Sequence, residues 1–127
     1  VTTLIPVYWR PRFPFLAETL RRVVKWRAVD RVVLIWNNPE WPTPACVLCD
    51  PLGTEHEKIF VVRPPAGLAR LPSSLNHRFL PFPEIRTEAV LSIDDDFRPT
   101  RHQLQKLLGT WQAMPERLVG PMWLGTR

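Results

Sequence analysis

At 127 residues, 45% of them hydrophobic, the chain is long enough for one domain or part of one and apolar enough for a core, which excludes a largely disordered polypeptide. Its 17 basic residues outnumber 12 acidic ones for a formal charge of +5, a balance that favours a phosphorylated or sulfated ligand. No helix-turn-helix, zinc-finger or RNA-binding sheet signature accompanies that charge, so no nucleic acid is expected, and no run of about eighteen apolar residues provides a membrane span.

Val1 to Tyr8 reads as a strand and Phe15 to Ala28 as an amphipathic helix, with Leu16, Leu20, Val23 and Val24 on one stripe. Arg21, Arg22, Lys25 and Arg27 fall on the solvated side of that helix. Arg31 to Trp36 is a nearly continuous apolar run, the pattern of a strand buried on both faces, and it ends in Asn37-Asn38-Pro39. A proline-containing loop leads to a third strand at Lys58 to Val62. Leu68 to Phe79 is expected as a short helix or ordered turn, and Ala89 to Ile93 as a buried fourth strand. Thr100 and Gln103 have the spacing of a capping box that opens a second helix, with Leu104, Leu107, Leu108 and Trp111 as its apolar stripe and Pro115 as its stop. Leu118-Val119-Gly120 then reads as the start of another strand. Alternating strands and helices define an α/β fold with a mostly parallel sheet flanked by helices. The fifteen prolines mark mainly the connections.

In open α/β sheets ligands sit beyond the carboxyl ends of the strands. That rule directs attention to Tyr8-Trp9-Arg10, Trp36-Asn37-Asn38 and Asp94-Asp95-Asp96, each of which follows a strand and all of which can share one crevice. If the backbone stays extended, Asp94 and Asp96 face one way and Asp95 the other, so two carboxylates can address one ion. Such hard oxygen ligands suit magnesium, manganese or calcium rather than zinc. Arginine can bind phosphate bidentately and asparagine a base or ribose, so the set has the parts of a nucleotide site. Glycine-rich phosphate loops are absent, and phosphate binding would depend on a metal. Simpler readings stand beside these: a solvated acidic loop for the aspartates, an Asn-Pro turn for Asn37 and Asn38, and a surface ion pair with Glu84 or Glu88 for Arg78. Trp9 and Trp36 read as core or crevice walls, and His77 as a helix-surface residue.

Cys46 and Cys49 have redox-motif spacing but lie between Pro44 and Pro51, in a loop rather than at a helix start, and read as loop thiols or a local disulfide. The three histidines supply no partner spacing for a zinc site.

The stretch Ser74 to Phe82, Glu84-Ile85, and Thr87 through Asp96 closely resembles the carboxyl-terminal glycosyltransferase domain of exostosin and exostosin-like proteins, glycosyltransferase family 64. Trp36-Asn37-Asn38 and Trp111 through Gly120 share the resemblance, and the spacing agrees from about Thr3 to Gly120 with a short insertion in the first helix region. The resemblance implies a GT-A fold, a Mn²⁺ cofactor and retaining transfer of N-acetylglucosamine or N-acetylgalactosamine from UDP-GlcNAc or UDP-GalNAc to a heparan-type glycan or a glycolipid acceptor. It implies that Asp96 ligates the metal directly, with Asp94 beside it, and that Asp94 and Asp95 address uridine and ribose. Asn38 and Arg78 match nucleotide-contacting positions, and Arg10 an arginine at the end of the first strand. Ser73 falls where relatives often place asparagine. Pro6 falls where some relatives carry a glutamine that reaches the base, so that contact is absent here.

By the same resemblance, residues 1–127 correspond to the amino-terminal, donor-binding half of the domain. The acceptor site and catalytic carboxylate are expected beyond the position of Arg127, and the catalytic residue is unknown. The chain opens without methionine inside a strand, so an upstream segment with any signal or anchor is expected, and localisation to the Golgi or endoplasmic reticulum lumen follows from the family alone. A truncated or degenerate nucleotide-sugar-binding module without turnover is the alternative, and a metal-dependent phosphohydrolase a remoter one.

Overall fold

A computed structural model describes residues 1–8, 13–38, 57–65, 67 and 74–120. Four strands form one parallel sheet: β1 (Thr2–Val7), β2 (Arg31–Trp36), β3 (Ile59–Val62) and β4 (Val90–Ser92). Their order across the sheet is β3-β2-β1-β4. The chain therefore moves outward from β1 through β2 to β3, then returns to place β4 on β1's other side. This reversal makes the β1/β4 boundary the switch point, where connecting segments depart in opposite directions and leave a crevice. The α/β architecture, a parallel sheet flanked by helices, is as expected.

Two helices, α1 (Phe13–Val24) and α2 (Arg101–Ala113), contribute to one core layer. Ile5, Val7, Val32, Leu34 and Trp36 face that layer, where Leu16, Leu20, Val23 and Leu104 meet them. Leu4, Val33 and Ile35, on alternate positions, face the other way and pack with Phe82. The side-chain period of two thus divides β1 and β2 between two apolar clusters, and β2 is buried on both faces as its composition predicts.

Helix α1 starts two residues before its expected position and ends four residues earlier. Pro14 is tolerated in its first turn, where its missing N–H has no helical partner to lose. The early end comes from Trp26: its N–H bonds the Val23 carbonyl at 3.1 Å, and the indole turns back into the core. Arg21 and Arg22 close over Glu18 on the outer side, the solvated role expected of them. Helix α2 carries the expected capping box: Gln103 N–H donates to Thr100 Oγ1 at 3.2 Å, and Thr100 N–H to Gln103 Oε1 at 2.8 Å. The helix ends at Ala113, just before Pro115.

Three expectations are corrected. β4 is an edge strand among the described residues, with Val90 exposed, because it pairs only with β1. Of the α2 stripe only Leu104 is fully buried, while Leu107, Leu108 and Trp111 line a cavity of about 340 Å³ near the amino ends of the strands. Leu118 to Gly120 form no strand, and Leu118 stands in solvent. Within Leu68 to Phe79, a 3-10 helix spans Leu75–Phe79. Residues 68–73 lie outside the described residues, as do Cys46 and Cys49.

Pro6 explains how the switch point opens. Thr2 N–H bonds the Ala89 carbonyl and Ile93 N–H bonds the Leu4 carbonyl, both at 3.1 Å, so alternate residues of β1 direct their backbone groups toward β4. Pro6 is the next residue in that set and has no N–H to offer. The ladder stops there, and β4 continues into Asp94-Asp95-Asp96.

Candidate functional site at the carboxyl edge of the sheet

Beyond Ile93 the chain turns, with Phe97 N–H donating to the Asp94 carbonyl at 3.1 Å. The three aspartates therefore lie in a turn rather than in extended backbone, a difference from the simple strand picture. The alternation of burial nevertheless holds: Asp95 is only 3% exposed, while Asp94 and Asp96 are both exposed. Helix α1 fixes this turn from beneath. Thr19, fully buried, directs its hydroxyl at two carbonyls, those of Asp95 (3.1 Å) and Phe97 (2.9 Å). Arg98, just past the turn, stacks its guanidinium over Phe15 of α1 at 4.8 Å.

The 3-10 helix brings Arg78 to the same turn. Its Nη2 donates to Asp94 Oδ1 at 2.7 Å, its Nη1 to Ser92 Oγ at 3.4 Å and its Nε to the Leu75 carbonyl at 3.3 Å. Asp94, rather than Glu84 or Glu88, is thus the carboxylate that Arg78 takes. Ser74 caps the 3-10 helix by accepting from Asn76 N–H, while its carbonyl accepts from the Tyr8 hydroxyl at 2.9 Å. Asn38, just past β2, donates from Nδ2 to the Tyr8 carbonyl at 3.2 Å. The ends of β1, β2 and β4 and the 3-10 helix are thereby tied into one polar edge.

His77 corrects an expectation. It is 5% exposed rather than on the helix surface, and its Nδ1 lies 2.5 Å from Asn37 Oδ1. Asn37 is itself held by its N–H to the Val7 carbonyl and by Nδ2 to the Ile35 carbonyl. Its amide thus locks a histidine inside, and Asn38 is the member of the pair left at the rim. Trp36 is core, with its ring 5.5 Å from that of Phe13.

Burial raises the Tyr8 hydroxyl above the usual phenol range; Arg78 opposes that shift, and Asp94 and Asp95 reinforce it. Tyr8 therefore remains a neutral donor at physiological pH. Its contribution to stability is complete below the ordinary phenol value and is lost as pH rises through its higher folded value.

The site brings together Asn38, Arg78, Asp94, Asp95 and Asp96, whereas Arg10 and Ser73 lie outside the described residues. Thr19 and His77 were missed by sequence reasoning. A signal existed for Thr19, a hydroxyl within an apolar stripe at helical spacing from Leu16 and Val23. None existed for His77, whose partner is forty residues away.

Asp94 and Asp96 are both solvent-facing hard oxygen donors, the type that suits Mg²⁺ or Mn²⁺. Among the described residues no three His, Cys, Asp or Glu side chains converge on a metal position. An ion here would therefore complete its shell with water and ligand oxygens, the usual arrangement where a metal bridges carboxylates and phosphates.

A parallel sheet whose order reverses at the β1/β4 boundary, with exposed carboxylates and an arginine at its carboxyl edge, defines an open α/β fold. The sequence matches the Glycosyl transferase family 64 domain over residues 1–123, and the chain belongs to that family. It is 32% identical over 124 residues to "Glycosyltransferase family protein 64 C3" of Arabidopsis thaliana, covering 94% of this chain and 36% of that protein. It is 33% identical over 111 residues to exostosin-2 of Homo sapiens, covering 86% of this chain and 14% of that protein. To "Glucosamine inositolphosphorylceramide transferase 1" of Oryza sativa subsp. japonica it is 29% identical over 119 residues, 93% of this chain and 14% of that protein. The chain thus spans between 14% and 36% of the length of these relatives.

Proposed function

We propose that residues 1–127 form the donor-binding part of a glycosyltransferase that takes N-acetylglucosamine or N-acetylgalactosamine from a UDP-sugar. The reaction is metal-dependent and retaining, and it serves glycan synthesis, of heparan type, or glycolipid synthesis in the Golgi or endoplasmic reticulum lumen. The observation that carries this reading is the meeting of Arg78 with Asp94 at the β1/β4 switch point, beside Asn38 and exposed Asp96. Family membership and the similarity to exostosin-2 support it, and the name of the Oryza sativa relative points to a glycolipid product.

Asp96, with Asp94, would hold Mn²⁺, whose chemistry is to stabilise the negative charge that builds on departing UDP. Arg78 carries diphosphate charge through its planar fork of donors. Asn38 positions the nucleoside side, and Thr19 holds the Asp95 and Phe97 carbonyls so that the turn keeps its shape, with Asp95 buried beneath it. Preorganised groups of this kind act without reorganising when charge develops.

Calorimetric titration of UDP into the chain, with and without Mn²⁺, tests the reading. UDP should bind in a metal-dependent manner, and Asp96→Ala should abolish the metal-dependent part. Unchanged affinity in that variant would sink the assignment of Asp96.

A further inference from the structure

Arg78 makes three hydrogen bonds of unequal quality. The bonds to Ser92 Oγ and the Leu75 carbonyl, at 3.4 and 3.3 Å, lie at the outer limit of hydrogen bonding, whereas the 2.7 Å contact with Asp94 is short and charge-assisted. The guanidinium is therefore held chiefly by a carboxylate that the proposed site needs for its ligands. The pair is lopsided in exposure, with the Arg78 side chain 19% exposed and that of Asp94 61% exposed. The Arg78 side chain is mostly covered while the carboxylate it meets lies open to solvent, where a ligand phosphate can reach the pair.

We propose that Arg78 is an internal counter-ion of the site: it occupies Asp94 in the absence of ligand, disfavours metal alone, and transfers to the diphosphate when nucleotide and metal arrive together. This rests on the donor-site reading above. Its physical basis is simple. With Arg78 on Asp94, one of the two exposed carboxylates of the turn is already neutralised, and a positive charge stands beside the proposed position of a divalent cation. In water-like surroundings a unit charge about 5 Å from a divalent ion weakens its binding on the order of tenfold. A diphosphate reverses that balance, since it gives the arginine a better bidentate partner and frees Asp94. Coupling between nucleotide and metal is then reciprocal, each raising the affinity of the other by the same factor. Part of that coupling passes through Arg78, in addition to any direct contact between phosphate and ion. The device would discourage loading with metal alone and favour entry of the metal–nucleotide pair.

The test titrates Mn²⁺ alone, by the loss of its free electron-spin-resonance signal, into the full chain and into Arg78→Gln, Arg78→Met and Arg78→Lys. Methionine retains an unbranched packed stem, so either neutral variant that melts cooperatively suffices. Removing the charge should tighten Mn²⁺ by about three- to tenfold, while UDP affinity at saturating Mn²⁺ falls and the UDP–Mn²⁺ coupling factor shrinks. Arg78→Lys retains the charge and should remain within about twofold of wild type for Mn²⁺ alone. In the unmodified chain the Arg78 guanidinium nitrogen resonances should move when UDP and Mg²⁺ are added together and remain in place with Mg²⁺ alone. Unchanged Mn²⁺ affinity in a folded neutral variant that still binds UDP with metal would overturn the counter-ion role and leave the donor site standing. So would movement of the wild-type resonances with Mg²⁺ alone. Failure of the unmodified chain to bind UDP with either metal would instead remove the donor-site reading, and this proposal with it.

Discussion

Thr19 is the residue on which the geometry of the carboxylate turn depends most directly. One hydroxyl, fully buried in the α1 stripe, serves the carbonyls of both Asp95 and Phe97, and so couples the helix to the residues on either side of Asp96. Replacing it with valine preserves shape and removes the one proton that the buried Asp95 carbonyl and the part-buried Phe97 carbonyl share, at a cost of about 1–3 kcal/mol. We expect Thr19→Val to weaken Mn²⁺-dependent UDP binding by about fivefold or more, beyond its effect on stability, and Thr19→Ser to restore most of it. Loss of stability in a denaturant titration with unchanged UDP affinity would show a purely structural threonine. At this scale the place of the acids was legible because carboxylates that follow a strand mark its carboxyl edge, whereas Arg78 was singled out by the family resemblance and its partner, Asp94, was not expected. The place of His77 was not legible, because its burial is decided by Asn37 across forty residues, and no local pattern encodes such a partner.

At the scale of elements, legibility followed how local the determinants were. The capping box at Thr100 was readable because both its bonds run between residues three apart. Strand β2 was readable because apolar side chains on both faces leave no other state. By contrast, the end of α1 is set by where Trp26 can reach the core, and Leu118 to Gly120 form no strand although their composition permits one. Strand propensity is realised only through a pairing partner. The cap also gives a clean measurement. Thr100→Ala removes the acceptor of the Gln103 N–H and leaves the backbone bond from residue 100 to Gln103 Oε1 in place, which should cost about 1 kcal/mol. The midpoint of urea unfolding should fall with an unchanged slope, while UDP affinity remains as in wild type, because α2 supplies none of the residues at the carboxyl edge. A loss of affinity in this variant would show that α2 communicates with the site.

The whole molecule assembles its site from segments far apart in the chain: Tyr8 after β1, Asn37 and Asn38 after β2, Ser74 to Arg78 on the 3-10 helix, and Ser92 to Phe97 leaving β4. Alternating strands and helices made a parallel sheet readable, and with it the edge at which sheets of this kind take ligands. The strand order that puts β4 beside β1, and the part Pro6 plays in ending their ladder, required the structure. A ligand that touches all these segments binds only when the sheet is formed, so its binding energy should add to global rather than local stability. At a free concentration about 100 times its dissociation constant, such a ligand adds about 2.7 kcal/mol. For a chain of this size that corresponds to about 10 °C in the melting midpoint. We therefore expect UDP with Mn²⁺ to raise the midpoint by about that amount, UDP alone to raise it much less, and Asp96→Ala to lose the metal-dependent part. If UDP gave the same shift with and without Mn²⁺, the nucleotide would be held by Arg78 and Asn38 without the carboxylate-bound ion, and the metal would have no place in donor binding.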